Sequence, residues 1–205
     1  MIAIIDYKAG NLTSVKLAFA HLGLEARITD RPEGILGAER VVFPGVGSAG
    51  AAMENIRRLG LAPAIKEVVG RGTPFLGICL GTQIIFDSSE ENGVTRGLAL
   101  LPGLVKRFTP ADPSEKIPQI GWNAVSILRP HPVLGGIENE SEFYFVHSYY
   151  PAPGDRADII GETTYAGATF AAVVGRNNLV ATQFHPEKSG RIGLRLLRNF
   201  SEWKC

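Results

Sequence analysis

The chain opens with four apolar residues in succession, Ile2, Ala3, Ile4 and Ile5, closed by Asp6. A short run without polar alternation predicts a strand buried on both faces, as in a parallel sheet. After the loop Tyr7-Lys8-Ala9-Gly10 the period changes. Leu12, Val15, Phe19 and Leu22 recur at helical spacing, with Asn11 placed as N-cap and Gly23 as the stop. Strands are predicted over 25–29, 40–43 and 75–78, and helices over 51–59 and 61–69, divided by Gly60 and ended by Gly70. Strand and helix therefore alternate through the first half, which predicts an α/β fold with a mostly parallel central sheet flanked by helices. Function in such folds gathers in loops at the carboxyl ends of the strands, here 7–10, 44–47 and 79–81.

The second half has a different texture. Short β-like runs cover 104–108, 124–128, 142–146, 158–160, 169–174 and 179–184, with turn signals between them such as Pro151-Ala-Pro-Gly154 and Asn177-Asn178. They predict additional short antiparallel strands, either as hairpins on the sheet edge or as a flap. A last helix is predicted over 190–202. It has Ile192, Leu196 and Phe200 on one face and a solvated stripe of Arg191, Arg195 and Arg198 on another. Without repeats or a linker-like tract, residues 1–205 are expected to form a single domain.

Composition narrows the function. A chain of 205 residues buries enough surface to fold without staples. A net charge of +1 gives no sign of nucleic acid or an acidic membrane as partner. The first residues lack a basic leader, and no apolar run reaches the ~20 residues that span a bilayer. The two cysteines, Cys79 and Cys205, make no disulfide framework. The expectation is a cytoplasmic protein with Cys79 as a free thiol.

Cys79 lies in Gly77-Ile78-Cys79-Leu80-Gly81, where a strand stops and a helix starts. This is the pattern of a nucleophile elbow, with cysteine in place of serine. The following helix N-terminus favours a thiolate. On burial preference alone, Cys79 fits a core residue equally well. Gln183-Phe184-His185-Pro186-Glu187 shifts the balance. Pro186 holds His185 extended, and residues two apart in an extended chain face one side, so His185 and Glu187 project together as a base and its orienting acceptor. An oxyanion needs preorganised N–H donors, and the Leu80 N–H and the loop Pro44-Gly45-Val46-Gly47 are the candidates.

GICLGTQ together with FHPE resembles the triad-type glutamine amidotransferases. The start Asp6-Tyr7-Lys8-Ala9-Gly10-Asn11-Leu12, the Pro44–Gly47 loop, Ile117-Pro-Gln-Ile-Gly-Trp-Asn123 and Tyr144-Phe-Val-His-Ser-Tyr149 resemble the glutaminase-subunit family of imidazole glycerol phosphate synthase. Lys8 stands where that family often has glycine, a departure that bears on the local turn. The resemblance implies that Cys79 attacks the glutamine side-chain amide, His185 moves the proton and Glu187 orients His185. Gly45, Val46, Gly47 and Leu80 would form the oxyanion hole. Gln83 and the backbone of His147, Ser148 and Tyr149 would bind substrate, with the His147 ring not acting as a base.

The family also implies a separate (βα)8-barrel cyclase subunit that consumes the ammonia in histidine biosynthesis, giving a heterodimer. Asn11, Trp122, Tyr144 and Lys188 match its interface positions, and Lys188 is expected at the ammonia exit. It further implies an oxyanion loop that rearranges when the partner binds its nucleotide. No cofactor and no metal is implied. Alternatives are a glutaminase serving pyridoxal phosphate, anthranilate or guanylate synthesis, a peptidase- or chaperone-like elbow-cysteine protein, or a non-catalytic scaffold of the same fold.

Overall fold

A computed structural model describes residues 1–112 and 114–205. The first half runs β1 (Ile2–Ile5), α1 (Leu12–His21), β2 (Ala26–Thr29), α2 (Pro32–Leu36), β3 (Arg40–Gly45), α3 (Ala49–Arg58), α4 (Leu61–Gly70), β4 (Phe75–Cys79) and the single turn α5 (Leu80–Gln83). The second half runs β5 (Ser88–Ser89), β6 (Thr95–Arg96), β7 (Gly103–Arg107), β8 (Gln119–Ile127), β9 (Ser141–His147), β10 (Tyr149–Pro153), β11 (Ile159–Tyr165), β12 (Ala168–Arg176), β13 (Leu179–Thr182) and α6 (Gly190–Glu202).

Nine strands form one sheet in the order β2-β1-β3-β4-β13-β12-β11-β8-β9. Pairing is parallel from β2 to β13 and antiparallel from β13 to β9. A second, four-stranded sheet has the order β10-β7-β5-β6. Hairpins thus extend the main sheet, the first of the two arrangements expected for the second half; the small second sheet pairs β5 with β7 in parallel and so is not the antiparallel flap of the other.

Alternate residues of β1 feed two cores. Ile2 and Ile4 pack with Val15 and Phe19 of α1 and Leu196, Leu197 and Phe200 of α6. Ala3 and Ile5 pack with Ile56 of α3 and Ile65 and Val68 of α4. A strand buried on both faces needs apolar residues at every position, which is why β1 shows no alternation. The edge strand β2 is buried only at Ala26. The arginine stripe of α6 is exposed, as expected.

Three local expectations need correction. Asn11 adopts a left-handed conformation, φ 75°, and makes no side-chain cap; its amide is used elsewhere. Pro151-Ala-Pro is not a turn but part of β10. β10 is an edge strand of its sheet, the position where proline's missing N–H is tolerated. The helix after Cys79 is a single turn, so N–H groups rather than a long dipole act on the sulfur. At Lys8 the left-handed turn is kept without glycine, φ 64°, and the ammonium is anchored between Asp6 at 3.0 Å and Asp30 at 2.9 Å.

Candidate active site

The carboxyl ends of β1, β3, β4 and β13 bring the motif loops together. Gly45 ends β3 and pairs in register with Cys79, which ends β4. Thr182 ends β13 beside Ile78, so Gln183 and His185 follow alongside the elbow.

Cys79 has φ 53° and ψ −107°, a conformation that costs an L-residue of order 1–3 kcal/mol and persists only where the surroundings enforce it. Two glycines do so. A Cβ on Gly77 would lie 2.9 Å from the Ala181 Cβ, and a Cβ on Gly81 would lie 1.7 Å from the Phe43 carbonyl oxygen. The Gly81 requirement thus arises from contact with β3, beyond closure of the turn itself.

His185 is fully buried and held by its backbone. Its N–H donates to the Tyr144 carbonyl at 2.9 Å, and its carbonyl accepts from the Ser189 hydroxyl at 2.7 Å and the Lys188 N–H at 3.0 Å. The same Ser189 Oγ accepts from the Tyr144 N–H at 3.0 Å. α6 closes against this turn so tightly that a Cβ on Gly193 would lie 1.8 Å from the Pro186 carbonyl oxygen.

His185 Nδ1 is 2.7 Å from Glu187 Oε1, which also accepts from the Asn11 amide at 2.5 Å. With Nδ1–H donating to that carboxylate, Nε2 is turned to the other side. Nε2 is buried without a nitrogen or oxygen partner, and Cys79 is the group it interacts with. Burial disfavours the imidazolium, but the charge and hydrogen bond of Cys79, supported by Glu187, outweigh it and raise His185 to about 10. Tyr7, which sequence reasoning did not single out, is buried with its hydroxyl against Gly45. Burial, then the Cys79 charge, pushes its phenol well above the usual value, so Tyr7 stays neutral beside the sulfur.

A cleft of about 270 Å³ opens over Cys79, lined by Val46, Gly47, Leu80 and Gln83 on one side and by Val146, His147, Ser148 and Tyr149 on the other. Of the expected oxyanion residues, Val46, Gly47 and Leu80 line it. Gly45 does not, because Tyr7 and Ala9 cover its Cα. The Leu80 N–H, at the first position of α5, has no helical acceptor and is free for an anion.

Glu91 also lines the cleft and accepts from the Ala49 N–H at 2.6 Å. Sequence analysis missed it, since Glu90-Glu-Asn-Gly reads as an ordinary polar loop. The His147 ring is packed against Phe108, Phe145 and Phe170, with Nδ1 donating to the Tyr149 carbonyl at 2.8 Å.

Of the expected interface residues, Asn11 is turned inward onto Glu187. Trp122 is 54% exposed, paired in register with Tyr144 and edge-on to its ring, and the exposed Lys188 ammonium lies 6.0 Å from the same ring.

His147 and His131 are both lowered to about 4, chiefly by burial. Their unfolded value is near 6.5, so between these values the unfolded chain binds more protons and stability rises with pH. These two groups are therefore expected to make stability in urea unfolding fall from pH 6.5 toward 4, while His185, raised to about 10, makes it fall again as pH climbs from about 6.5 toward 10. His147→Phe, which keeps the aromatic packing, should flatten the acid-side fall. Identical pH slopes in the two proteins would show that His147 is not held neutral.

An elbow cysteine, a histidine with one ring nitrogen toward it and a carboxylate on the other, set on a mixed sheet flanked by helices, is an arrangement that suits thiol-nucleophile chemistry. The glutamine amidotransferase class-I family model matches residues 3–203. The chain is 51% identical to imidazole glycerol phosphate synthase subunit HisH of Nitratidesulfovibrio vulgaris strain Hildenborough, covering 99% of this chain and 96% of that one. It is 50% identical to the subunit of the same name from Dehalococcoides mccartyi strain CBDB1, over 98% and 96%. A crystal structure of a glutamine amidotransferase superposes with a TM-score of 0.76 over 98% of both chains at 18% identity, which speaks for the fold alone. The chain belongs to the class-I glutamine amidotransferases, in the family of HisH subunits.

Proposed function

We propose that residues 1–205 act as one glutamine amidotransferase domain, the glutaminase subunit of an imidazole glycerol phosphate synthase working in the cytoplasm. The observation that carries the reading is the His185–Glu187 contact at 2.7 Å directly behind the strained Cys79.

Glutamine enters the cleft with its amino-acid end toward Glu91 and Gln83. The Glu91 carboxylate suits an α-ammonium, and the backbone of Ser148 and Tyr149 offers further hydrogen bonds. The Cys79 sulfur attacks the carboxamide carbon. Negative charge develops on its oxygen and is met by the Leu80 N–H, with the Val46–Gly47 loop as the second donor once its peptide is correctly turned. His185, which already holds the thiol's proton beside the thiolate, delivers it to the departing nitrogen, so ammonia leaves and a glutamyl thioester remains. Water, deprotonated by His185, then releases glutamate and restores the thiol. Glu187 keeps the histidine tautomer fixed throughout.

Ammonia in water is protonated and lost as a nucleophile, so a (βα)8-barrel cyclase subunit is expected to cover the site. The exposed face of Ile120 and Trp122 on β8, with Tyr144 and Lys188 beside it, suits such a partner: 63% and 54% exposure is high for large apolar side chains.

Glutamine hydrolysis measured alone, then with a histidine-pathway cyclase barrel and its nucleotide ligand, should rise by about 10² or more, the worth of one oxyanion donor. Equal rates would point to another synthase. Lys188→Ala in the complex should leave glutamate release nearly intact and lower the fraction of ammonia that reaches product. Unchanged coupling would remove Lys188 from the ammonia path.

A further inference from the structure

Two glutamine amides stand in series between a backbone carbonyl and the Cys79 sulfur. Gln83 Nε2 donates to the Tyr149 carbonyl at 2.8 Å and to Gln183 Oε1 at 3.0 Å. Gln183 Nε2 lies 3.6 Å from Cys79 Sγ. Gln183 is wholly buried, and Gln83 nearly so.

Amide oxygen and nitrogen can usually be exchanged without steric cost, so the direction of such a chain must be argued. Here it is fixed from one end. A backbone carbonyl only accepts, so Gln83 must turn its nitrogen to Tyr149. The second proton on that nitrogen needs an acceptor, so Gln183 must turn its oxygen to Gln83. Only the Gln183 nitrogen is then left for the sulfur. His147 holds the same Tyr149 carbonyl from the other side, donating from Nδ1 at 2.8 Å. The Gln183 backbone is itself tied down, its N–H donating to the Ala172 carbonyl at 2.9 Å.

We propose that Gln183 is a further catalytic residue, whose side-chain N–H donates to the Cys79 sulfur and favours the thiolate, and that Gln83 is the positioning residue that sets its direction. The proposal rests on the thiol chemistry assigned above and adds a donor to it. A hydrogen bond to the charged form of a group favours that form. Besides His185, which shares the thiol proton, the sulfur has the Val146 carbonyl 3.9 Å away, an acceptor that gives a thiolate nothing. The titratable groups around the sulfur are His185 and Glu187 beyond β13, Tyr7 after β1, and His147 and Glu91 in the cleft.

The test is the pH dependence of Cys79 alkylation by iodoacetamide, followed on the Cys79 peptide of the full chain by mass spectrometry. It needs no glutamine turnover, so it can fail while the glutaminase reading stands, and the converse holds. Gln183→Met keeps the length and packing of the side chain but cannot donate. Its profile should move up by about one pH unit, roughly tenfold less alkylation at a fixed pH on the acid limb. Gln183→Glu should move further in the same direction, because an ionised carboxylate beside the sulfur opposes the thiolate. Gln83→Met should move the profile the same way by less, since the Gln183 amide is then free to turn over.

Coincident profiles for wild type and a folded Gln183→Met would overturn the role of Gln183, and an unshifted Gln83→Met that of Gln83. If the Gln183 variants do not fold, side-chain amide NMR of the wild type decides. The Gln183 amide protons should shift on alkylation of Cys79, and resonances that do not move would overturn the proposal.

Discussion

Cys79→Ala is expected to lower glutamine hydrolysis by at least about 10⁴-fold, the loss seen when the nucleophile of a triad is removed. Cys79 is the one nucleophilic side chain that lines the cleft and also interacts with His185. Without the sulfur there is no thioester, and His185 has no thiol proton to deliver. The variant should keep its fold, because alanine is smaller than cysteine and fits the space the sulfur leaves; it keeps the Cβ, so the backbone strain at φ 53° is unchanged. In the complex with the cyclase barrel, product formation from added ammonia should persist while formation from glutamine is lost. Glutamate release and circular dichroism check both halves. Residual hydrolysis within tenfold of wild type would remove Cys79 as nucleophile.

Gly81→Ala is expected to destabilise the chain by more than about 3 kcal/mol, at the level of severe overpacking. The new Cβ would meet the Phe43 carbonyl oxygen at 1.7 Å and its carbon at 2.8 Å. Both are backbone atoms of β3, whose Phe43 pairs with Gly77 in the ladder that carries Cys79. No rotamer can relieve the clash, so β3 or the elbow must move. Gly70→Ala, at the end of α4 where an added Cβ meets nothing within 4 Å, is the control and should change stability by no more than about 1 kcal/mol. Urea unfolding of the two variants separates the cases. Similar stability would mean that the elbow and β3 are not packed as described.

Much of the parallel half was legible because its central strands are apolar over short runs without alternation and glycine follows or closes its helices. β1, β3 and β4 follow from composition of four or five residues each. β10 was not legible, because its two prolines read as a turn until the strand is known to lie on an edge. β8 begins at Gln119, earlier than the expected 124, since Ile120 and Trp122 alternate with polar and small residues on an open face. β11 was read short because Gly161-Glu-Thr-Thr is polar and carries register shifts. In the site, the elbow pattern around Cys79 and the shared face of His185 and Glu187 were legible from spacing; their roles came from the family resemblance, and the 2.7 Å contact behind them only from the fold. Asn11 was read as a cap and an interface residue, whereas its amide reaches Glu187, a contact 176 residues apart in sequence that only the fold creates. Gln183 carried a usable signal. It stands two residues before His185, and an extended chain puts both on one face. Tyr7 lay in a loop the sequence marked as functional but was given no role there, and Glu91 carried no signal, since it is brought to the cleft by packing.

The most direct measurement is covalent labelling of the chain, bound to the cyclase barrel and its nucleotide ligand, by a diazoketone analogue of glutamine. The analogue presents an electrophilic carbon where the amide would sit. The expected result is one label per chain on the Cys79 peptide, suppressed by glutamine, with the exposed Cys205 unlabelled. Failure to label Cys79 while iodoacetamide still reacts there, or labelling that glutamine does not suppress, would contradict the assignment of this cleft as a glutaminase site.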